Sequence, residues 1–161
     1  MRRSLGTAPE RVEPEMAKQR NQRQNAIREI VRDKPIRTQR DLANELRAMG
    51  LECTQATVSR DIADMRLEKL PEGVYVLAED LHLQRMVSEL VQSVVRTDNL
   101  VLVKAHPGTA PGVAAAIDGA ELSHAVGSIA GDDTVLVITG SAEDGKRLED
   151  YINKLRYSKM R

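Results

Sequence analysis

The chain has 161 residues, 41% of them hydrophobic, and carries 24 basic and 24 acidic side chains. This length is enough for one ordinary domain or two small ones, and because Phe and Trp are absent, any core must be aliphatic. The single cysteine, Cys53, excludes an intramolecular disulfide and a metal site built from cysteines. No apolar run approaches the length of a membrane span and no hydrophobic signal segment is present, so we expect a soluble cytoplasmic protein.

The balanced net charge conceals an uneven distribution along the chain. Residues 1–78 carry 15 basic and 12 acidic side chains, whereas residues 79–161 carry 9 and 12. Residues 16–40 alone hold eight basic and two acidic side chains. This asymmetry favours a basic module that meets a polyanion, followed by an acidic module with another task.

The first part of the chain predicts an arm followed by three helices. Residues 1–20 are polar, contain two prolines and lack periodicity, which is typical of a disordered arm. A first helix is expected over about residues 21–32 because of its apolar stripe. A second is expected from Thr38, where Thr-Gln-Arg-Asp has the form of a capping box, with Gly50 as its stop. A third helix then begins at Thr54.

Short extended segments on both sides of residues 71–73 (Pro-Glu-Gly) predict a β-hairpin after the third helix. Three helices and a hairpin in this order are typical of a winged helix-turn-helix, in which the third helix enters the major groove of DNA. We therefore predict a DNA-binding domain over residues 21–78.

The predicted third helix, residues 54–66, has two faces of different character. At about 100° per residue, its apolar side chains Val58, Ile62 and Met65 fall on one face. The opposite face carries small and polar side chains, namely Ala56, Ser59, Arg60 and Ala63. Small residues allow a close approach, and Ser and Arg donate hydrogen bonds to phosphates and base edges. The face is therefore a candidate DNA-contacting surface, although an ordinary solvent-exposed face can have the same composition.

The second part of the chain predicts a small α/β domain at residues 83–161, after a brief linker at residues 78–82. A fourth helix is expected over about residues 83–95, with Met86, Leu90 and Val94 on its inner face. The remaining elements are a strand at 100–103, a helix at 109–118, strands at about 123–130 and 134–139, and a helix at 143–156. The whole pattern predicts a two-domain α+β protein.

Two adjacent carboxylates, Asp132 and Asp133, follow Gly131 between the last two predicted strands. Neighbouring like charges repel unless a cation or hydrogen-bond donors offset them. Three interpretations remain open: an exposed β-turn, a metal or acid–base pair, or a pair that binds a cationic ligand such as a guanidinium. The three histidines are scattered without ligand spacing, and no nucleophile or cofactor loop supports an enzyme acting on amino acids.

Three stretches make the chain similar to the bacterial arginine repressor family. Residues 54–62 resemble that family's recognition helix, residues 127–134 (Gly-Ser-Ile-Ala-Gly-Asp-Asp-Thr) its effector-binding segment, and residues 107–110 the start of its ligand-side helix. The resemblance implies a winged helix-turn-helix that binds operator DNA and a C-terminal domain that forms trimers, which pair into hexamers. It also implies repression of arginine biosynthesis genes, and in many members activation of catabolic ones. L-arginine would be the effector, bound between trimers, with no cofactor, metal or catalytic residue.

The resemblance also assigns roles to individual residues. Ser59 and Arg60 match the DNA-contacting pair, and we assign to the same interface Gln39, Arg40, Gln55 and Thr57. Asp132 and Asp133 would meet the charged groups of arginine, and the further ligand-binding positions are Asp118, Ser128 and Ala130. Pro111 stands where relatives often place glutamine or histidine, so a DNA-binding architectural protein that ignores small molecules remains the alternative.

Overall fold

The computed structural model describes residues 14–158 and divides the chain into two compact units, with the boundary after Val76. The first unit contains helices α1 (Glu15–Asp33), α2 (Gln39–Ala48) and α3 (Gln55–Asp64), followed by strands β1 (Leu67–Lys69) and β2 (Tyr75–Leu77), of which only the last residue lies beyond the boundary. The two strands pair as a hairpin. The predicted order of three helices and a hairpin is confirmed.

Helix α1 begins earlier than the sequence pattern predicted. The disordered arm expected over residues 1–20 is wrong from Glu15 onwards, where the chain is helical, and residues 1–13 lie outside the described part. The first turns of α1 show no apolar stripe because they are largely exposed. Their Glu, Ala, Lys, Gln and Arg residues are nevertheless strong helix formers, and Pro14 precedes the first turn.

Side-chain caps begin the next two helices. Thr38 Oγ1 accepts a hydrogen bond from the backbone N–H of Asp41 (3.0 Å), and Thr54 Oγ1 accepts one from the N–H of Thr57 (3.2 Å). Caps of this kind stabilise a protein by about 1 kcal/mol. Gly50 follows α2 with a φ of 78°, a left-handed conformation that glycine adopts without strain. The predicted starts of α2 and α3 are therefore confirmed, as is the glycine stop.

An aliphatic core holds the first unit together. It is formed by Ile27, Ile30, Ile36, Leu42, Leu46, Val58 and Met65, which are all buried. The hairpin is attached to the helices because the Tyr75 N–H donates to the Ile36 carbonyl oxygen at 2.8 Å. The Leu70 N–H donates to the Val74 carbonyl oxygen at 2.9 Å and closes the turn.

The second unit is a four-stranded antiparallel sheet covered on one face by helices. Strands β3 (Val91–Thr97), β4 (Leu100–Ala105), β5 (Ala125–Ala130) and β6 (Thr134–Thr139) lie in the order β3-β4-β6-β5. Helices α4 (Ala78–Leu90), α5 (Ala110–Gly119) and α6 (Ala142–Tyr157) share one core with this sheet. The buried strand residues of that core include Val101, Val103, Val135 and Val137. Together the two units confirm the two-domain α+β fold.

Two predictions for the second unit are wrong. Residues 78–82, expected as a linker, form the start of α4, and α4 ends at Leu90 rather than near residue 95. The following residues form β3, in which Val95 pairs with Leu102 of β4. The helical spacing of apolar residues continues to Val94, but β-branched valines favour a strand, and pairing with β4 outweighs the local period.

Candidate functional site

Helix α3 presents the predicted small and polar face to solvent. Its residues Ala56, Ser59, Arg60 and Ala63 are exposed, while Val58 and Met65 are buried and Ile62 is half-buried. Within residues 14–158, the Arg60 side chain forms no hydrogen bond or ion pair. Its guanidinium therefore has all its donors available for another molecule.

The other residues assigned to DNA lie at the starts of α2 and α3. Gln39 and Arg40 are the first two residues of α2, and Gln55 is the first residue of α3. Arg40 and Gln55 are exposed, whereas Gln39 is half-buried. Thr57 is also half-buried, and its hydroxyl lies 2.9 Å from the Thr54 hydroxyl that caps its own N–H. Helix N-termini attract phosphate, so these positions suit contacts with the DNA backbone.

A buried carboxylate lies beside this face. Asp61, only 2% exposed, receives two hydrogen bonds from Arg23 of α1, from Nε to Oδ2 and from Nη2 to Oδ1 (3.1 Å). Gln24 Nε2 also donates to Oδ1 at 3.3 Å. Hydrogen bonding to Asp61 raises the pKa of the Arg23 guanidinium above its ordinary value, so Arg23 stays positively charged. The sequence analysis missed Asp61, although its position three residues after Val58 already places it on the inner face of the helix.

In the second unit, Asp118 and Ser128 lie at an open cavity of about 400 Å³. The Ser128 hydroxyl lies 2.9 and 3.1 Å from the two carboxylate oxygens of Asp118 and donates to that acid. The cavity is otherwise lined by Ile117, Glu121, Leu122, Ala125, Val126 and Gly127. Carboxylates beside aliphatic side chains suit a ligand that has a cationic head on an apolar stem.

The paired acids lie in the turn between β5 and β6. Asp133 Oδ2 is 2.8 Å from Lys104 Nζ, and Asp133 Oδ1 accepts a hydrogen bond from Thr134 Oγ1 at 2.8 Å. The interaction with Lys104 and, to a smaller extent, that with Thr134 hold the pKa of Asp133 below its ordinary value of 3.8. The Asp132 side chain is exposed and has no polar partner among residues 14–158. The turn thus carries one carboxylate that is ion-paired with Lys104 and one that has no polar partner in the described part of the chain.

The predicted ligand-binding residues form two groups rather than one. Asp118 and Ser128 share the cavity, whereas Ala130, Asp132 and Asp133 are not among the residues that line it. Ala130 is exposed at the end of β5, directly before the turn with the acid pair. Each group offers a carboxylate that a ligand can reach.

Residues 14–158 contain no group of three or more His, Cys, Asp or Glu side chains that is arranged to hold a metal ion. In that same part of the chain, no helix combines the length and the apolar character that crossing a membrane requires.

The first unit is a winged helix-turn-helix with an exposed recognition face, and the second is an antiparallel-sheet unit whose acidic side chains are accessible to a ligand. This combination defines a DNA-binding regulator with a separate sensing domain. Residues 18–83 match the arginine repressor DNA-binding domain, and residues 87–154 match the arginine repressor C-terminal domain. The chain therefore belongs to the arginine repressor family, and the resemblance found in the sequence is confirmed.

Individual relatives support the same assignment over most of both chains. The arginine repressor of Solibacter usitatus is 41% identical, with 80% of this chain and 90% of the relative aligned. The arginine repressor of Thermus thermophilus is 43% identical, with 80% of this chain and 85% of the relative aligned. That of Symbiobacterium thermophilum is 44% identical over 75% and 87%.

Proposed function

We propose that this protein is an arginine-responsive transcriptional regulator that binds operator DNA through α3 and L-arginine through the acids of its second unit. The observation that carries the proposal is the exposed face of α3, where Arg60 lacks a partner among the described residues and stands beside Ser59. Such a pair reads base edges and phosphates. The regulator acts in the cytoplasm, where DNA and free arginine are both present, and it does not turn its ligand over.

The chemistry of L-arginine matches the two groups of acids. The ligand has a guanidinium and an α-ammonium at opposite ends of an aliphatic stem, and carboxylates pair with both. Asp118 with Ser128 forms one acidic group and Asp132 with Asp133 the other, and the cavity contains only the first. Because the cavity of a single chain contains only one of the two groups, we infer that two copies contribute to the site, at the junction between trimers.

An apolar row on the sheet supports self-association of the second unit. Val95 pairs with Leu102, Leu102 with Leu136, and Leu136 with Ile129, so aliphatic side chains cross all four strands in line. Val95, Leu102 and Ile129 are 59%, 40% and 66% exposed. A contiguous apolar patch of this kind is typical of a protein–protein interface. We infer that copies associate into trimers and that trimers pair into hexamers.

Assembly and ligand binding together explain a regulated response. A single winged helix with a small net charge binds DNA weakly, because affinity rises with the number of phosphates neutralised. Several linked copies raise the affinity through their high effective concentration. When Asp132 and Asp133 of facing copies approach each other, their charges repel, and a bound cationic ligand relieves that repulsion. Arginine thereby shifts the population towards the arrangement that binds DNA best.

A gel shift tests the proposal directly. The probe is a duplex that the protein has selected from a random-sequence library. Binding is measured at fixed salt, with and without millimolar L-arginine, and with L-lysine as the control. Tighter binding with arginine alone is the expected result. Equal binding in every lane would favour the architectural alternative, in which Pro111 replaces a ligand contact. Failure to select any sequence would refute the DNA-binding role, and turnover of arginine would indicate an enzyme.

Lys104 should compete with the ligand for Asp133. Its ammonium group lies 2.8 Å from the carboxylate, and the two side chains are 45% and 38% exposed. An exposed pair of this kind is worth at most about 1 kcal/mol, so Lys104→Gln should tighten arginine binding by up to about fivefold in calorimetry. Lys146→Gln, which removes the exposed Lys146–Asp150 pair of α6, is the matched control and should leave the affinity unchanged. Weaker binding by Lys104→Gln would mean that Lys104 supports the site instead.

A further inference from the structure

The ion pair between Arg23 and Asp61 joins α1 to the inner side of the recognition helix. The side chains of Arg23 and Asp61 are only 16% and 3% exposed, and Asp61 directly follows Arg60 in the sequence. We propose that Arg23 is a positioning residue that fixes the rotation of α3 about its own axis and so directs Ser59 and Arg60 towards DNA. This proposal rests on the proposed DNA-binding function.

Stability alone does not explain a charged pair at this position. Taking two charges out of water is costly, and apolar side chains of similar volume are often equally or more stabilising there. Asp61 lies on the same side of α3 as Val58 and Met65, both buried in the aliphatic core. An apolar residue would therefore satisfy the packing of α3. The ion pair adds direction, which apolar packing does not supply.

The geometry of the pair suits this task. The Arg23 guanidinium donates from Nε and Nη2 to the two different oxygens of Asp61, so its planar fork fixes orientation as well as distance. Gln24 adds a third donor from the next position of α1. A rotation of α3 by about 20° would move side-chain tips on its outer surface by about 2 Å, given a helix radius of roughly 6 Å. That displacement is enough to break a hydrogen bond to a base edge.

A second ion pair between the same helices provides a matched comparison. Arg20 Nη2 lies 2.9 Å from Asp64 Oδ2, but these side chains are 54% and 49% exposed. Exposed pairs are weak and conformationally loose, because water competes with each partner. Arg20 therefore connects α1 to α3 without constraining the rotation of the helix.

The test compares affinities of the full chain for two duplexes of equal length and composition, one selected by the unmodified protein from a random library and one scrambled. Arg23→Met should lower the ratio of selected to scrambled affinity by at least about tenfold, since a misdirected side chain loses its base contact. Its affinity for the scrambled duplex should change little. Arg20→Met should keep the ratio of the unmodified protein.

The double variant Arg23→Met/Asp61→Leu separates positioning from stability. It removes both charges and should recover the melting temperature that Arg23→Met loses, because no unpaired buried carboxylate remains. If Arg23 is a positioning residue, the double variant stays at least about tenfold less selective despite normal stability. A selective double variant, or a selective Arg23→Met, would overturn the inference while leaving the proposed function intact. An unmodified protein that prefers no sequence would instead overturn the proposed function itself.

Discussion

Replacing Arg60 with alanine should greatly weaken binding to operator DNA while leaving the assembly of the protein unchanged. Arg60 is exposed on α3 and has no partner within residues 14–158, so its loss should not disturb the fold. One good guanidinium contact to a base is worth about 1–3 kcal/mol. In the assembly proposed above, several linked copies engage the DNA together, so the losses combine. We therefore expect binding to weaken by at least about a hundredfold in gel shifts.

Arg47→Ala is the matched control for that experiment. Arg47 is exposed in the last turn of α2 and hydrogen-bonds Asn44 one turn earlier, away from the helix start that carries Arg40. Its removal takes away the same positive charge from the same unit and should change affinity little. Analytical ultracentrifugation should give the same oligomeric state for both variants. If Arg60→Ala binds the selected duplex normally, α3 is not the recognition helix.

The elements that the sequence predicted well are those with local signals. Thr38 and Thr54 cap helices through bonds that span three residues, so the caps are visible in the sequence. Strand β3 was missed because Leu90 and Val94 continue a helical period, while the pairing that decides its conformation is with β4. Such pairing depends on contacts between segments, and a local pattern does not contain it.

The same distinction separates the predicted and the missed features of the site. The exposure of Ser59 and Arg60 follows from the helical period and was predicted, whereas the partner of Asp61 lies 38 residues earlier, at Arg23. The Lys104–Asp133 pair likewise joins strand β4 to the turn before its neighbour β6, and these two segments are distant in the sequence. A sequence identifies which side chains carry charge, but their partners depend on the fold.

The second substitution with a large expected effect is Asp133→Asn. It should remove the arginine response without unfolding the protein. Lys104 and Thr134 lower the pKa of Asp133, so the ionised carboxylate stabilises the folded state at pH values above the ordinary pKa of 3.8. That contribution is lost only as the pH falls through the lowered pKa of the folded state. At neutral pH the carboxylate is therefore fully charged and ready for a guanidinium. Asparagine keeps the shape but not the charge, and a charge-assisted hydrogen bond is worth about 1.5–3 kcal/mol. Calorimetry should therefore show arginine affinity lowered by at least about tenfold.

Asp150→Asn provides the control, because it removes a carboxylate from the exposed Lys146–Asp150 pair of α6, outside both acidic groups. It should leave arginine binding and the arginine-dependent gel shift as in the unmodified protein. The thermal midpoints of both variants should lie close to that of the unmodified protein, since surface pairs contribute little to stability. Normal arginine binding by Asp133→Asn would remove Asp133 from the site. In that case Lys104 would be its permanent partner, and the unpaired Asp132 would be the acid that receives the ligand.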